Sequence, residues 1–460
     1  MDNPTYTEDL RTAHEIGLPD MLEARERRAR RQQELLEQYH LPLISFSMNI
    51  AGPFKNSPLI GRGFRLGRDM LLERLEENKA AVVFSEEISE ATGCEGIYVV
   101  NAAADFLKKI TCAIEEETPL GRLYDMDVLT EDGRKLDRPV PRRCLLCGEP
   151  AKICARSRAH TVEELQQVTQ AILTENFDRA DADFGAEYAV RALLYEVCVT
   201  PKPGLVDRVN NGSHRDMDIY TFLSSAPSLQ PYFRTCIKTG RETAMLPAPE
   251  TLKALRSPGK KAEKTMYRAT GGVNTHKGAI YSMGILCGAL GRLPREEWTS
   301  PERILEEAGK MAAGIVAAEL GGLTSECART SGERFYLQYG ITGIRGEAEA
   351  GFPAVRDAGL PVLERLLAEG KSNDEAGAAA LLAILASTPD TNVIARGGID
   401  TQRRVIAELR EMLKKTALPE REALEEMDRA YTEENLSPGG SADLLALCWM
   451  LHFLRSSGTV

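Results

Sequence analysis

The spacing of apolar residues along the chain changes character near residue 175. Before that point, runs rich in β-branched and aromatic residues predict strands at 43–50, 80–88 and 96–100. Two other segments, 24–39 and 102–117, space their apolar residues as an amphipathic helix does. Residues 121–136 predict a strand that enters an Asp-Gly turn. The first part of the chain is therefore predicted to be α+β.

After this point strand signals almost vanish and helical spacing dominates. Predicted helices lie at 183–199, 276–290, 301–319, 361–369, 374–387, 400–415 and 441–455. The polar segment TENFDRADADFG, at 174–185, is interpreted as the junction between two domains. We therefore expect a multidomain protein, with an α+β domain over 1–174 followed by an all-α domain over 178–460.

Composition agrees with two domains and excludes several classes of protein. A length of 460 residues exceeds what one hydrophobic core usually serves. The net charge of −11 disfavours nucleic acid as a partner. The N-terminal residues MDNPTYTEDL lack an apolar signal core, and no apolar run reaches the ~20 residues that span a bilayer. Ten scattered cysteines indicate reduced thiols, so we expect a cytoplasmic protein with no membrane partner.

Four clusters of the second half, at 196–218, 271–278, 388–398 and 437–449, combine glycines with charged and amide side chains. Glycines let a ligand approach the backbone, and the other groups suit phosphate or a metal ion. The candidate nucleotide- and phosphate-binding residues are Lys202, Gly204, Gly271, Gly272, Asn274, His276, Lys277, Asn392, Arg396, Gly397, Gly398, Gly439, Gly440 and Ser441. The candidate carboxylates are Asp207, Asp216, Asp218, Asp390 and Asp443. Because Mg²⁺ is usually held by carboxylates together with substrate phosphates, the clusters predict a magnesium–nucleotide site.

The cluster GGVNTHKG, at 271–278, directly precedes a predicted helix. Either Asn274 or Thr275 can cap that helix, so that free N–H groups and Lys277 face an anion at its positive end. The alternative is an ordinary capped helix whose His276 and Lys277 are solvated. Four such clusters in one helical domain favour the nucleotide site.

In their order along the chain, PKPGLVD, GSHRDMD, GGVNTHKG, DTNVIARGG and SPGGSADLL resemble the triphosphoribosyl-dephospho-CoA synthase family, over roughly residues 183–460. The resemblance implies ATP and 3′-dephospho-CoA as substrates, with the 2′-hydroxyl of dephospho-CoA displacing adenine from the ribose of ATP. Carboxylates suit such a displacement at an anomeric carbon, as base and as a negative charge near the sugar. The candidate catalytic residues are Asp207, Asp216, Asp390 and His214, and the candidate Mg²⁺ ligands are Asp218, Asp390 and Asp443. His214 or His276 can protonate the departing adenine, although a lone histidine is more often structural.

In the first half, the run GRLYDMDV, at 121–128, places two carboxylates two residues apart. On a strand, Asp125 and Asp127 share one face, where they can bind Mg²⁺ on the phosphates of a nucleotide and take part in catalysis. The alternative is a solvated edge strand. In addition, Arg62, Arg65 and Arg68 of GRGFRLGRD, spaced by three, can gather phosphates.

The segment CLLCGEPAKICARSRAH spaces Cys144, Cys147, Cys154 and His160 as C-x2-C-x6-C-x5-H. These four side chains can hold a structural Zn²⁺. Three reduced thiols and a surface histidine are the alternative. Residues 134–158 contain eight Lys and Arg against two Asp and Glu, a local charge of +6 that suits an acidic protein or a triphosphate.

The runs LISFSMNIAGPFK, GRLYDMDV and RRCLLC…CARSRAH together resemble the apo-citrate lyase phosphoribosyl-dephospho-CoA transferase family, over approximately residues 20–170. The resemblance implies a nucleotidyltransferase-like domain that moves the phosphoribosyl-dephospho-CoA unit onto a serine of the citrate lyase acyl carrier protein, the gamma subunit, and releases diphosphate. The two halves then catalyse consecutive steps, and the chain is a bifunctional enzyme of prosthetic-group synthesis.

Three alternatives stay open at this point. The carrier can be that of malonate decarboxylase, although the fused pair favours citrate lyase. The helical half can instead be a metal-dependent hydrolase of nucleotide glycosidic bonds. The chain can also be a non-catalytic assembly factor that binds a carrier protein through its basic segment. Such a factor would not need the acidic, glycine-rich clusters of the second half.

Overall fold

The structure is a computed structural model and describes residues 14–416 and 418–457. The chain divides into two compact units, Met1–Arg179 and Ala180–Val460. The segment MDNPTYTEDL, in which the sequence shows no signal core, lies outside the described residues.

The first unit combines an antiparallel sheet with helices. Its elements are α1 (Leu18–Tyr39), β1 (Leu43–Met48), α2 (Pro58–Glu77), β2 (Ala81–Glu90), β3 (Gly93–Asn101), α3 (Ala104–Glu117), β4 (Tyr124–Leu129) and α4 (Ala151–Ser157). The strands are ordered β2-β3-β1-β4, and every neighbouring pair is antiparallel. The predicted α+β character of this part of the chain is therefore confirmed.

One face of the sheet packs on α2 and α3. Phe46 of β1 and Tyr124 of β4 are fully buried in this core. A Cβ at Gly67 of α2 would lie 2.7 Å from the ring of Phe46, so glycine is what lets the helix approach the strands. The opposite face carries α1, whose Leu35 and Leu36 pack against the sheet.

In the described part of the second unit every regular element is helical. The elements are α5 (Val162–Cys198), α6 (Ile219–Ser228), α7 (Gln230–Glu242), α8 (Ala248–Ala269), α9 (Lys277–Arg292), α10 (Pro301–Ala312), α11 (Ile315–Leu320), α12 (Ser331–Tyr339), α13 (Gly343–Glu349), α14 (Leu360–Ala368), α15 (Asn373–Ser387), α16 (Thr391–Lys415), α17 (Arg421–Glu433) and α18 (Gly439–Ser456). Helix α5 begins within the first unit and ends in the second.

Helices α9 and α18 are apolar almost all round, as helices buried inside a domain are. Helix α9 crosses α7 closely at glycines: a Cβ at Gly240 would lie 2.1 Å from the carbonyl oxygen of Gly288. The glycines thus remove side chains where the two backbones meet.

The sequence predictions were wrong in several local details. The segment 174–185, interpreted as the junction, contains the point where the two units divide, but the chain there is part of the continuous helix α5. The predicted helix 301–319 breaks at Gly314, whose φ of +78° is left-handed, into α10 and α11. The cluster at 388–398 is largely helical, because α16 begins at Thr391 and is interrupted only at Gly398.

No single helix in the described ranges is long and apolar enough to cross a membrane. One pair, α15 with α16, reaches that length and composition, but its two helices meet at a bend of 56°.

Candidate active sites

In the first unit, Asp125 and Asp127 share one face of β4, because alternate residues of a strand point to opposite sides. Their side chains are 47% and 26% exposed, while Met126 between them is buried in the sheet core. Lys135 Nζ lies 2.5 Å from Asp127 Oδ2, and Arg142 Nη1 lies 3.8 Å from Asp125 Oδ1. Each carboxylate therefore stands at the surface beside a cationic side chain.

A cavity of about 550 Å³ in the same unit is lined by arginines, among them Arg122, Arg138, Arg142, Arg143 and Arg158. Glu115 of α3 holds part of this wall: its carboxylate lies 2.6 Å from Arg142 Nη2 and accepts a 2.7 Å hydrogen bond from the Met126 amide. Burial raises the pKa of Glu115. The cavity has the size of a small-molecule site and the charge that a polyphosphate needs.

The four residues with zinc-ligand spacing come together in the structure. The sulfur atoms of Cys144, Cys147 and Cys154 and one ring nitrogen of His160 all lie within 4.8 Å of one another. Cys147 Sγ is 3.4 Å from Cys154 Sγ and 3.3 Å from His160 Nε2. Although burial opposes ionisation, backbone hydrogen bonds from Cys147 and Leu146 lower the pKa of Cys144 to about 7.

The arginines of α2 lie away from the lining of this cavity. The guanidinium of Arg62 lies 4.3 Å from the ring centre of Phe177, and Arg68 donates to Asp69 and Glu87. Arg65 is exposed. Arg62 is therefore partly engaged in packing within the unit, which the spacing of the three arginines did not predict.

In the second unit, Lys202 is buried against a residue that the sequence analysis missed. Its Nζ lies 2.5 Å from Glu196 Oε1 and donates a 2.9 Å hydrogen bond to the Glu196 carbonyl. Lys202 is 2% and Glu196 4% exposed. Burial raises the pKa of Glu196 against the lowering effect of the lysine. A glutamate inside the apolar run LLYEVCV was the sequence signal that could have identified it.

Asp443 lies near this pair. Burial raises its pKa well above the usual value, and the negative charges of Glu196 and Asp390 raise it further. A Cβ at Gly278 of α9 would lie 1.9 Å from Asp443 Oδ2, so this glycine makes room for the carboxylate. Asp443 thus lies close to two other carboxylates, and only one of these, Glu196, pairs with Lys202. Such an excess of negative charge favours binding of a further cation.

Asp390 joins two of the predicted clusters. As the N-cap of α16 it accepts a 2.9 Å hydrogen bond from the Asn392 amide. Its other oxygen accepts from the amide and the hydroxyl of Ser441 at 2.7 and 2.9 Å. Burial raises its pKa. Asp390 therefore has a structural role as well, because it ties the starts of α16 and α18 together.

His276 presents a buried ring nitrogen to this region. Its Nδ1 lies 2.8 Å from Ser225 Oγ, whereas its Nε2 is buried and meets no hydrogen-bond partner among the described residues. Burial and the charge of Lys202 lower the pKa of His276 to about 3. A ring that stays neutral near pH 7 is a poor proton donor to adenine but can hydrogen-bond a ligand.

Asp207 organises the loop between α5 and α6. It is 2% exposed and accepts hydrogen bonds from the backbone amides of Lys202, Val209 and Asn210 at 3.2, 2.7 and 2.9 Å. The N–H of Gly204 donates a 2.9 Å hydrogen bond to Asp428 of α17, a second carboxylate that the sequence analysis missed. Both acids shape this loop, and the geometry favours a positioning role for Asp207 over that of a base.

His214 and Arg396 link the same loop to other clusters. His214 Nε2 lies 2.8 Å from Ser437 Oγ, and Arg396 Nη1 donates to the carbonyl of Ser213 at 3.1 Å. Burial and the adjacent Arg396 lower the pKa of His214. This shift argues against His214 as the acid that protonates adenine.

The start of α9 differs from its prediction. The helix begins at Lys277, and its N-cap is His276 with no side-chain cap, so neither Asn274 nor Thr275 caps it. Thr275 instead lies 2.7 Å from Ser225 Oγ. Lys277 is exposed and lies 3.4 Å from Glu263. Gly271 and Gly272 have φ angles of +66° and +97°, and open space surrounds both.

The remaining candidates differ in what they contact. A Cβ at Gly439 or Gly440 would crowd Asn392 or Asp390, at 2.8 and 3.1 Å. Asp218 caps α6 by accepting from the Thr221 amide, and Asp216 is exposed. Four further candidate nucleotide-binding residues are exposed: Asn274, Asn392, Gly397 and Gly398. The structure thus connects all four clusters: Gly278 faces Asp443, Asp390 bonds Ser441, Arg396 bonds Ser213 and His214 contacts Ser437.

Comparison with known families agrees with both halves of this description. The model of the apo-citrate lyase phosphoribosyl-dephospho-CoA transferase family, CitX, matches residues 16–176. The model of the ATP:dephospho-CoA triphosphoribosyl transferase family, CitG, matches residues 182–459. The two resemblances drawn from the sequence motifs are confirmed.

Curated relatives match the whole chain or its second unit. Protein CitXG of Haemophilus influenzae is 37% identical over 461 residues, covering 96% of this chain and 97% of that protein. Protein CitXG of Leuconostoc mesenteroides subsp. cremoris is 32% identical, covering 96% and 98%. The 2-(5''-triphosphoribosyl)-3'-dephosphocoenzyme-A synthase of Pectobacterium atrosepticum is 42% identical over 287 residues, 62% of this chain and 94% of that protein. The chain is therefore a transferase that belongs to the CitXG family, with a CitX region and a CitG region fused in one polypeptide.

Proposed function

We propose that the chain makes and installs the prosthetic group of citrate lyase in two consecutive steps. In the CitG region, ATP and 3′-dephospho-CoA give 2′-(5″-triphosphoribosyl)-3′-dephospho-CoA and adenine. In the CitX region, the phosphoribosyl-dephospho-CoA unit is transferred to a serine of the citrate lyase acyl carrier protein, with release of diphosphate. The names of the matched families and of the related synthase support these substrates.

The observation that carries the first step is the meeting of four distant clusters around Asp443. Glu196, Asp390 and Gly278 come from different segments, yet all three are close enough to influence its carboxylate. In the proposed reaction the 2′-oxygen of dephospho-CoA bonds to the anomeric carbon as the bond to adenine breaks. Asp443 is the candidate base for the hydroxyl proton, because Gly278 leaves room for its carboxylate and its raised pKa makes the ionised form a stronger base.

Mg²⁺ fits the donor set of this region, because buried carboxylates with raised pKa values are stabilised when a cation joins them. Asp443 would hold the ion together with the substrate triphosphate, whereas Glu196 already pairs with Lys202 and Asp390 accepts several hydrogen bonds. When bound, Mg²⁺ neutralises charge on the triphosphate. His276 Nε2, buried and unpartnered among the described residues, is placed to hydrogen-bond the nucleotide.

The positive charge of the arginine-lined cavity in the first unit suits the second step. The serine oxygen of the carrier attacks the phosphate nearest the ribose, and diphosphate leaves as an anion. The arginine-lined cavity can receive the triphosphate and the departing diphosphate. Asp125 and Asp127 would hold Mg²⁺ at its edge, where Arg142 lies beside Asp125. This is nucleotidyltransferase-like chemistry.

Mass spectrometry of the carrier protein tests the proposal. The full chain, ATP, Mg²⁺ and 3′-dephospho-CoA should add one phosphoribosyl-dephospho-CoA mass to a citrate lyase acyl carrier protein, and adenine should appear only when dephospho-CoA is present. Adenine release without dephospho-CoA would favour a hydrolase. Carrier binding without a mass change would favour an assembly factor. Selective modification of a malonate decarboxylase carrier would show that this carrier, and not that of citrate lyase, is the partner.

A further inference from the structure

The segment 131–168 of the first unit has almost no hydrophobic core. Within it Cys144 is the one buried residue, and helix α4 buries none of its side chains. A stretch of this length that buries so little apolar surface needs another source of stability, such as a bound metal ion. The segment nevertheless forms turns and a helix and supplies most of the arginine wall of the cavity.

The one buried side chain belongs to the four-residue cluster described above. Zn–S and Zn–N bonds of about 2.3 and 2.0 Å place tetrahedral ligand atoms roughly 3.5–3.8 Å apart. The four ligand atoms lie within 4.8 Å of one another, and two of their separations are 3.4 and 3.3 Å. Small movements would therefore bring all four to one ion. A disulfide would need Cys147 Sγ and Cys154 Sγ to approach to about 2.05 Å and would leave Cys144 and His160 without a role.

The backbone around the cluster is built to hold these ligands. Gly148 follows Cys147 with a φ of +73°, and the Cys144 amide donates to the Glu149 carbonyl at 2.6 Å, which closes a tight turn. Arg158 ends α4 in a left-handed conformation, and the chain then reaches His160. One short helix and two tight turns thus carry every ligand.

We propose that Cys144, Cys147, Cys154 and His160 bind one structural Zn²⁺, which takes the place of a hydrophobic core in this segment and fixes the arginine wall of the cavity. Each bound cysteine releases its proton to solvent and binds as a thiolate, and His160 binds as neutral imidazole. Four protein ligands leave no open position, so the ion takes no part in chemistry.

The ion would act on the cavity through the backbone. Arg122 Nη2 donates to the carbonyls of Arg143 and Cys144, both at 3.0 Å. Arg143 Nη1 in turn donates to the Gly148 carbonyl at 3.1 Å. Fixing Cys144 and Cys147 therefore fixes the chain that carries Arg142 and Arg143. This consequence for the transfer step rests on the proposed function, whereas metal binding does not.

Metal analysis of the full chain, purified in reducing buffer without chelator, tests the proposal. We expect roughly one zinc per chain, lost in Cys147→Ser and in Cys154→Ser but kept in Cys327→Ser, a control at an exposed cysteine of the second unit. Cobalt(II) added to metal-free protein should give the intense visible bands of a tetrahedral thiolate site. This readout does not depend on activity.

Limited trypsin digestion should then show cleavage within 131–168 only when zinc has been removed, and added zinc should restore protection in the wild type. Carrier modification from supplied intermediate should fall with zinc loss, while adenine release is unchanged. Wild-type protein that neither contains zinc nor binds cobalt tetrahedrally under reducing conditions would overturn the proposal, as would equal zinc content in Cys147→Ser. Zinc binding without carrier modification in any sample would contradict the proposed function instead.

Discussion

The two candidate sites differ most clearly in charge and burial. In the first unit, arginines line an open cavity, and the carboxylates Asp125 and Asp127 stand partly exposed beside cations. In the second unit, Glu196 and Asp390 are buried and Asp443 is partly buried, and burial raises the pKa of all three. The charges of the first site therefore suit an anion, and those of the second site suit a cation.

This difference fits the proposed division of labour. A site that joins two nucleotides must deprotonate a hydroxyl and stabilise positive charge on a sugar, which buried carboxylates can do. A site that transfers a phosphoryl-linked group must gather negative charge and release diphosphate, which arginines can do. In the proposed sequence, the same triphosphorylated molecule is the product of the acidic site and the substrate of the basic one.

The largest expected effect is at Asp443. Replacing Asp443 with Asn should lower the rate of adenine release by about 10³-fold or more, because the base and a cation ligand are lost together. Gly278→Ala should act similarly, since the added Cβ would lie 1.9 Å from Asp443 Oδ2. Adenine can be measured by chromatography.

The control for these variants is Gly332→Ala in α12, where no atom lies within 4 Å of the added Cβ. Both site variants should still modify the carrier when given preformed intermediate. Wild-type adenine release in Asp443→Asn would remove this residue from the site.

The next effect is confined to the other unit. Asp125→Asn and Asp127→Asn should each lower carrier modification by roughly 10²-fold, because a metal ligand is lost, and should leave adenine release unchanged. Asp137→Asn, at an exposed carboxylate of the same unit, serves as control. Normal transfer rates in both site variants would support the alternative that the sequence left open, in which β4 is a solvated edge strand without a metal site.

A smaller effect concerns where the units divide. Phe177 is 5% exposed and belongs to the core of the first unit, although it lies beyond residue 174. A fragment ending at residue 174 should be less stable to urea than one ending at 179, by about 3–5 kcal/mol, as for deletion of a buried Phe. Equal stability of the two fragments would place the end of the unit earlier, near the predicted boundary.

The smallest effect is a pH dependence of stability in the second unit. The pKa of His276 in the folded chain, about 3, is below its unfolded value, so its neutral form stabilises the fold above pH ~6.5. That contribution is lost as pH falls from ~6.5 toward 3. Relative to His276→Gln, the wild type should lose about 2 kcal/mol of unfolding free energy between pH 7.5 and 5.0. A difference that does not change with pH would show that the imidazole is not held neutral.

The features that the sequence predicted correctly are those that depend on the local spacing of residues. Alternation along GRLYDMDV correctly predicted Asp125 and Asp127 on one face, and the Cys and His spacing identified side chains that the fold brings together. The helical half and its four clusters were also found, since glycine and charged residues at the ends of apolar runs are local features.

Most of the features that the sequence analysis missed depend on contacts between residues far apart in the chain. Asp428 meets Gly204 across 224 positions, and no local pattern marks that pair. Glu196 is an exception, since Lys202 is only six positions away; the pair was missed because a single charge in an apolar run was not taken for a buried ion pair. The start of α9 was misplaced because Thr275 bonds Ser225 instead of capping the helix. Long-range pairing decided these details.

Complementation between two full-length variants tests most directly the claim that one chain holds two independent sites for consecutive reactions. Asp443→Asn should make no triphosphoribosyl intermediate, and Asp125→Asn should make it but transfer it poorly. Neither variant alone should modify the acyl carrier protein with ATP, Mg²⁺ and dephospho-CoA, as followed by mass spectrometry. Mixed together, they should restore modification, because the intermediate made by one is used by the other. If the mixture stays inactive although each variant is folded and performs its remaining half-reaction on supplied substrate, the two sites do not act as independent consecutive centres.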